Sequence, residues 1–371
     1  MDHQTYSEGQ FWFCFLLMNI VFIGAYLCFK KKLNSKMIWG CIFLFCVPCY
    51  WNQDYFNFQL IYNELDPTFR DPLYYYIKQI TFGSYHLFRA IIWGAALLLF
   101  YKTSKIMGIP SWIVIFVFPI CFLLPFSYAR ASLAMASYFY GVTLLKKSNK
   151  ISLMGLLFVI FSYFAHRSML PLIVFTPLAI MRIRITNKFH LLTIIIIPIL
   201  VILSFINQVQ ESTYQIQESS DETMQATENF TRSASRYLNV VTEERERSLK
   251  SRIMSFIHYV SIYSVYVYLI FTLYRIKKHI LRREKYVNSM MLISTLLIVI
   301  SVFFLYLSYS KGYPETLAYR YLYMTYIPLI LQVSYFYQIG LCKKRTLYLL
   351  LMPSFIYAEG LIGGILYSRF L

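Results

Sequence analysis

Residues 127–150 read SYARASLAMASYFYGVTLLKKSNK, and this stretch shows the pattern on which the whole chain is built. An arginine, Arg130, opens an apolar run rich in small residues, and two lysines close it. The run approaches the length of a membrane-spanning helix, which needs about 20 apolar residues. The arginine requires an explanation, because an ion inside a membrane helix costs about 2.5–3.5 kcal/mol on insertion scales.

Similar apolar runs recur along the chain. Of its 371 residues, 58% are hydrophobic and 14% are charged, whereas about a quarter of the residues in a soluble domain are charged. We therefore expect an all-α polytopic membrane protein, with residues 1–371 forming a single transmembrane domain. About 12 transmembrane helices are predicted, at 11–29, 37–51, 84–101, 110–126, 130–145, 151–165, 168–181, 189–206, 253–274, 287–309, 318–340 and 346–368.

Two of these spans need comment. The first, 11–29, is too long for the core of a signal peptide and has no basic leader. The seventh, 168–181, contains Pro171 and Pro177, so it is either a broken helix or a re-entrant segment. The seven cysteines lie in or beside apolar runs, and we interpret them as small packing residues.

The basic residues are concentrated on alternate connections between the spans. Six connections hold 21 of the 35 basic residues and one of the 17 acidic residues. The positive-inside rule places these connections in the cytoplasm and both termini outside. The net charge of +18 is thus a topology signal, and no nucleic-acid partner is expected. The connections are 30–36, 102–105, 146–150, 182–188, 275–285 and 343–345.

Two external segments follow from this topology, 52–83 and 207–252. The first contains DPLYYYIKQI, in which Asp71 as cap and Pro72 in the first turn predict a helix start. The aromatic face of that helix suits a position in the membrane interface. The second segment is polar, with mixed charge, and we treat it as a large external loop.

Ionisable residues lie near the predicted outer boundary, several of them inside apolar runs. Such residues are candidates for function, although each arginine could instead extend its side chain to lipid headgroups. Arginine binds phosphate bidentately and stays charged at any working pH. A nearby histidine or carboxylate could take a proton from an attacking hydroxyl. The candidates are Asp54, Arg89, Arg130 with its neighbour Tyr128, His166, Arg167, Glu315, Tyr319 and Arg320.

The sequence contains no motif for a nucleotide, a redox cofactor or a zinc hydrolase. No cofactor and no metal site is therefore expected. A cluster of arginines at a lipid-facing outer surface instead suits a phosphate or pyrophosphate on a lipid carrier, which becomes a good leaving group once its charge is neutralised.

The stretch FSYARASLAMASYFYGVTLLKKSNK, followed by LLFVIFSYFAHRSMLPL, resembles the EpsG-like family of Wzy-type polysaccharide polymerases. In that family an arginine, often followed by glutamine, opens a helix of small residues, and a histidine with a small hydroxyl residue two positions on follows one helix later. Here these are Arg130, His166 and Ser168, with Ala131 where glutamine is common. The aromatic segment from residue 50 and the later Tyr319-Arg320 pair also match.

The resemblance implies a fold similar to O-antigen ligases and GT-C glycosyltransferases. It implies polymerisation of oligosaccharide units on undecaprenyl pyrophosphate, at the outer face of the bacterial cytoplasmic membrane. Arg130 and Arg320 would hold the pyrophosphate, and His166 would act as the base or orient the acceptor. Membrane lipids and a chain-length regulator protein are further candidate partners.

Three other functions remain open at this point. A GT-C glycosyltransferase using a lipid-phosphate donor would take Asp54 as its base. A lipid-linked oligosaccharide flippase would need a cationic path across the membrane, and often two related halves. A polysaccharide acyltransferase would need a cytoplasmic catalytic histidine, for which His190 and His279 are the candidates.

Overall fold

The computed structural model describes residues 8–47, 59, 62–65, 72–110, 112–113, 129–147, 152–180, 249–275, 286–311 and 315–352. Every regular element within these ranges is helical, in agreement with the predicted all-α class. The α-helices are α1 (Glu8–Phe29), α2 (Ser35–Cys46), α3 (Leu73–Gln79), α4 (Tyr85–Met107), α5 (Ala129–Lys147), α6 (Leu153–Ala165), α7 (Leu170–Ile180), α8 (Leu249–Arg275), α9 (Val287–Lys311) and α10 (Glu315–Gln338). A 3-10 helix, Arg167–Met169, lies between α6 and α7, and residues 344–352 are also helical.

Most predicted spans within the described ranges differ from the observed helices by a few residues at each end. Span 130–145 corresponds to α5, span 287–309 to α9, and span 318–340 to α10. Span 189–206 and nearly all of 110–126 lie outside the described residues, as does most of the external segment 207–252.

The ends of α4 show how the local sequence sets a helix boundary. The Ser84 hydroxyl accepts a hydrogen bond from the Leu87 amide at 3.3 Å, which satisfies one of the amides left unpaired at a helix start. Gly108 ends the helix with φ at 70°, a left-handed conformation that glycine adopts without steric cost. The predicted span ended at 101, where the apolar residues end, but the helix continues through Lys105. By length and composition, α4 is the one helix in the described ranges that can cross a membrane.

Helices α5 and α6 pack with their backbones in contact. A Cβ atom at Gly141 would lie 2.7 Å from the carbonyl oxygen of Gly155, and one at Gly155 would lie 3.0 Å from the carbonyl oxygen of Gly141. Glycine at both positions therefore allows an approach that any side chain would block. Beside this contact, the Tyr140 and Phe158 rings meet edge to face at 4.9 Å. Since α5 ends at Lys147 and α6 begins at Leu153, the two helices run antiparallel.

Helix α7 runs parallel to α5. The Tyr138 hydroxyl donates to the Leu172 carbonyl at 3.1 Å, and the Lys146 ammonium donates to the Ile180 carbonyl at 2.8 Å. Both bonds join residues 34 positions apart. The register between the two helices is therefore constant, as it is for parallel helices. Helices α5, α6 and α7 thus form an up-down-up unit, and the turn after α6 lies at the end where α5 begins.

Helices α9 and α10 form the other large packing pair, and α10 also packs against α8. The Ser289 hydroxyl donates to the Ala179 carbonyl at 2.7 Å, which joins the start of α9 to the end of α7. The Tyr286 and Tyr335 rings lie 6.2 Å apart, so the late part of α10 meets the region just before α9. Helix α10 must therefore begin at the end of the bundle where α5 also begins.

Candidate functional site

Arg130 lies in the first turn of α5, half-buried. Its guanidinium carbon is 5.8 Å from the ring centroid of Tyr74 in α3. Tyr74 is 1% exposed, and its ring packs against Phe88 of α4 at 6.0 Å. An aromatic face attracts a cation by about 0.5–2 kcal/mol without neutralising its charge. This contact can therefore position Arg130 without cancelling its charge.

Tyr74 belongs to an aromatic cluster, which we define as Tyr62, Tyr74, Tyr85 and Phe88. The ring of Tyr62 lies 5.4 Å from that of Tyr85 and 5.0 Å from that of Phe88. The Tyr62 hydroxyl also shares a hydrogen bond with the Thr81 hydroxyl at 3.0 Å. The described part of the predicted external segment 52–83 is therefore packed onto the start of α4.

Helix α3 differs from its prediction in two ways. It begins at Leu73 with Pro72 at the N-cap position, where no side-chain hydrogen bond caps it; Asp71, the expected cap, lies outside the described residues. Its tyrosines do not all face outward, because Tyr74 is buried while Tyr76 is 67% exposed. Contacts with α4 and α6 hold the helix against the bundle by one face.

Arg89 is buried in α4, at 3% exposure. Its Nε donates to the Val47 carbonyl at 2.8 Å, and its guanidinium lies 5.9 Å from the Tyr85 ring. This hydrogen bond ties α4 to the residue that follows α2. Arg89 therefore has a structural role at the edge of the aromatic cluster, beside any part it plays in binding.

His166 begins the turn between α6 and α7, which we call the His166 turn (residues 166–169). Its backbone is extended, with φ at −162° and ψ at 119°, and its side chain is 8% exposed. Its Nδ1 accepts a hydrogen bond from the Ser168 amide at 3.2 Å, and the Ser168 hydroxyl lies 2.7 Å from the same atom. The imidazole caps the 3-10 helix as an asparagine or serine caps other helices. Arg167, the next residue, is exposed.

Helix α10 reaches the His166 turn through Tyr321. The Tyr321 hydroxyl donates to the Ser168 carbonyl at 3.2 Å, across 153 positions of sequence. The ring is stacked on Phe304 of α9 at 5.4 Å with an interplanar angle of 3°, so its direction is fixed by packing. Arg320, one residue earlier in α10, therefore has its backbone beside this turn.

The register of α5 against α6 places Arg130 at the level of the His166 turn. Arg130 lies eleven residues before Gly141, and His166 lies eleven residues after Gly155, so antiparallel pairing from that glycine contact brings both to one level. At about 1.5 Å per residue, that level is roughly 16 Å from the contact.

The predicted site residues thus fall into three groups. Arg130, His166, Arg167 and the backbone of Arg320 lie at one end of the bundle, and Arg89 joins this region through the aromatic cluster. Glu315, Tyr319 and Arg320 are placed along α10 by their backbones, and their side chains lie outside what the structure describes. Asp54 and Tyr128 lie outside the described residues altogether. A cationic surface beside a buried histidine suits recognition of an anionic substrate, because the arginines supply charge and the imidazole supplies direction.

Sequence reasoning missed two residues that organise this end of the bundle, Tyr74 and Tyr321. Both sit in tyrosine-rich runs that also suit an interfacial aromatic belt, so composition did not separate them from their neighbours. The cap made by His166 and Ser168 had a local signal, since polar side chains two residues apart after an apolar helix often cap the next one.

Comparison with known proteins identifies the family. The EpsG family model matches residues 50–361, which contain every element of the site described above. No curated protein and no solved structure matches the chain. Membership in this family associates the chain with a glycosyltransferase-like role in polysaccharide polymerisation and with a membrane location. The match covers most of the chain, and the protein belongs to the EpsG family of polysaccharide polymerases.

Proposed function

We propose that this protein joins oligosaccharide repeat units carried on undecaprenyl pyrophosphate into a surface polysaccharide. In this reaction the bond between the anomeric carbon of the growing chain and its pyrophosphate breaks, and the pyrophosphate leaves with the bonding electrons. A hydroxyl of the incoming unit forms the new glycosidic bond, and its proton ends on the released pyrophosphate. The observation that supports this proposal best is the common level of Arg130, the His166 turn and the start of α10.

In the proposed reaction Arg130 and Arg320 bind the pyrophosphate and stabilise the charge that develops as it leaves. His166 faces the reacting groups, as the base or as an orienting group. The remaining candidates would contact the lipid-linked units, and they are Asp54, Arg89, Tyr128, Arg167, Glu315 and Tyr319. The contact between Arg130 and Tyr74 supports the first assignment, because it directs the guanidinium without cancelling its charge.

The proposal includes a membrane arrangement. About twelve spans would cross the bacterial cytoplasmic membrane in a bundle similar to GT-C enzymes and O-antigen ligases, with the site open to the outside. The lysines at the far end of α5, Lys146 and Lys147, support this orientation, because positive residues favour the cytoplasmic side. A chain-length regulator protein is a proposed partner at the outer face.

The test is deletion of the gene, with analysis of the surface glycan on a gel. The deleted strain is complemented with the wild type, Arg130→Ala or Arg130→Lys, and with Arg345→Ala as a control at an exposed cation in a predicted cytoplasmic connection. We expect Arg130→Ala to lose roughly 10²–10³-fold in rate, as removal of one charge-stabilising donor commonly does. Arg130→Lys should restore little, since lysine lacks the bidentate fork.

The glycan left by the deletion separates this function from the other candidates. A polymerase deletion leaves single repeat units on the surface, because those units are still built and exported. Loss of even the single-unit product would show an earlier role, in export or in building the unit. A normal ladder from Arg130→Ala, at normal protein level, would remove the proposed anion site.

A further inference from the structure

The two hydrogen bonds at His166 Nδ1 determine where the imidazole carries its proton. The Ser168 amide lies 3.2 Å from Nδ1, and a backbone amide can only donate. Nδ1 must therefore present its lone pair to the amide, and in that tautomer the Ser168 hydroxyl, 2.7 Å away, donates to the same atom. A neutral imidazole with an unprotonated Nδ1 carries its hydrogen on Nε2.

We propose that Ser168 is a positioning residue that holds His166 in the Nε2–H tautomer, so that His166 donates a hydrogen bond to a pyrophosphate oxygen of the lipid-linked donor. This inference rests on the function proposed above, and it replaces the role of base considered there for His166. The imidazole then binds the leaving group together with the arginines and does not remove the proton of the acceptor hydroxyl.

The alternative, removal of the acceptor proton by Nε2, requires the opposite tautomer. Nδ1 would then donate to the Ser168 hydroxyl at 2.7 Å, but the Ser168 amide, 3.2 Å away, would lose its acceptor and face a second donor. The part-buried bond from the Ser168 amide would be lost. Losing this hydrogen bond is unfavourable, so the structure disfavours the base.

A pyrophosphate oxygen is the better partner for this hydrogen than the acceptor hydroxyl. Negative charge grows on the pyrophosphate as the glycosidic bond breaks, so a donor fixed there gains strength in the transition state. A hydrogen bond donated to the acceptor oxygen would instead lower its nucleophilicity. Arg130, at the same level of the bundle, would bind the same group.

Two substitutions at position 166 separate the cap from the donor. Asparagine places its amide near the position of Nδ1, so His166→Asn keeps an acceptor for the Ser168 amide and ends before the position of Nε2. Glutamine places its amide near the position of Nε2, so His166→Gln keeps a donor there and cannot act as a base. We expect His166→Asn to lose roughly 10²–10³-fold in rate and His166→Gln, which keeps a donor, to lose clearly less.

Substitutions of Ser168 test the positioning role. Ser168→Ala removes the hydroxyl and leaves the backbone amide, so we expect a loss of roughly 10–100-fold, as for other residues that orient a functional side chain. Ser168→Thr keeps the hydroxyl and should restore the rate. If Ser168 acted only in the helix cap, these variants would change the free energy of unfolding and leave the tautomer of His166 unchanged.

The tautomer itself is measured by ¹⁵N NMR of the purified full chain with labelled histidine, using His166→Asn to assign the signal. We expect Nε2 protonated and Nδ1 unprotonated in the wild type, and a mixture in Ser168→Ala. Protonated Nδ1 in the wild type would overturn the proposal. Full activity of His166→Asn would also overturn it. Where the deletion strain still makes single units, a His166→Gln variant as inactive as His166→Asn would overturn it as well.

A failure of the proposed function looks different from a failure of this inference. If deletion of the gene removes even the single-unit product, the polymerase function is wrong, and with it the role of His166 toward pyrophosphate. The NMR measurement still tests the hydrogen position set by Ser168, because it needs neither substrate nor activity.

Discussion

The contact between Gly141 and Gly155 predicts a specific cost for adding one methyl group. In Gly141→Ala the new Cβ would meet the Gly155 carbonyl oxygen at 2.7 Å and the Val159 amide nitrogen at 2.9 Å, whereas ordinary contacts begin at 3.4 Å. Both neighbours are backbone atoms, so no side chain can turn away. The helices must separate by about 0.7 Å, and overpacking of this kind costs about 1–3 kcal/mol.

Gly40→Ala in α2 is the matched control. Nothing lies within 4 Å of a Cβ at Gly40, and alanine is favoured over glycine in a helix by about 1 kcal/mol at either position. The difference between the two variants therefore isolates the steric term. We expect Gly141→Ala to be less stable than Gly40→Ala by about 1–3 kcal/mol, measured by reversible unfolding of the purified protein in detergent.

The functional consequence follows from the level argument. Arg130 and His166 are held level by pairing that begins at this contact, so a change in helix separation should also shorten the polysaccharide ladder. The reasoning is refuted if Gly141→Ala is as stable as Gly40→Ala, because α5 and α6 would then not be in backbone contact.

Three further predictions address single contacts. Tyr321→Phe keeps the ring stack but loses the bond to Ser168, and we expect a loss of about 0.5–1.5 kcal/mol in unfolding free energy; an unchanged midpoint would show that the bond contributes nothing. Tyr74→Phe should polymerise normally, whereas Tyr74→Leu, which removes the aromatic face beside Arg130, should shorten the polysaccharide ladder. Equal ladders from the two variants would show that the cation–π contact has no functional role. Burial raises the pKa of the Cys342 thiol, so at a given pH less of it is thiolate. A variant that retains only Cys342 should therefore be alkylated slowly in the native state. Its alkylation rate should increase at a higher pH in the native protein than in SDS, where the thiol pKa returns toward normal; equal pH profiles in the two states would contradict this.

The sequence predicted well what depends on local pattern. The span beginning at Arg130 corresponds to α5, because a charged residue, small apolar residues and closing lysines mark both ends within one stretch. The prediction for α4 ended six residues early, at 101, because hydropathy measures apolar length while the helix ends where Gly108 turns the chain.

Contacts between distant segments could not be predicted in the same way. The approach of Tyr74 to Arg130 depends on how α3 packs between α4 and α6, and the bond from Tyr321 to Ser168 joins residues 153 positions apart in the sequence. Nothing in the residues flanking either tyrosine specifies its partner. The common level of Arg130 and His166, by contrast, could have been predicted from Gly141 and Gly155 had their contact been assumed.

The separation of Ser168 and Tyr321 in the sequence also determines how long after Ser168 its partner Tyr321 is synthesised. At about 5–20 residues per second, a ribosome needs roughly 8–30 s to synthesise the 153 positions that separate the two partners of this hydrogen bond. During that interval α5, α6 and the turn already exist, and α10 does not. The newly made turn must keep its shape by its own local bonds, those from Ser168 to His166. The last arginine of the proposed site, Arg320, arrives with the helix that closes it, so an incomplete chain has no finished site with which to engage the lipid-linked units already in the membrane.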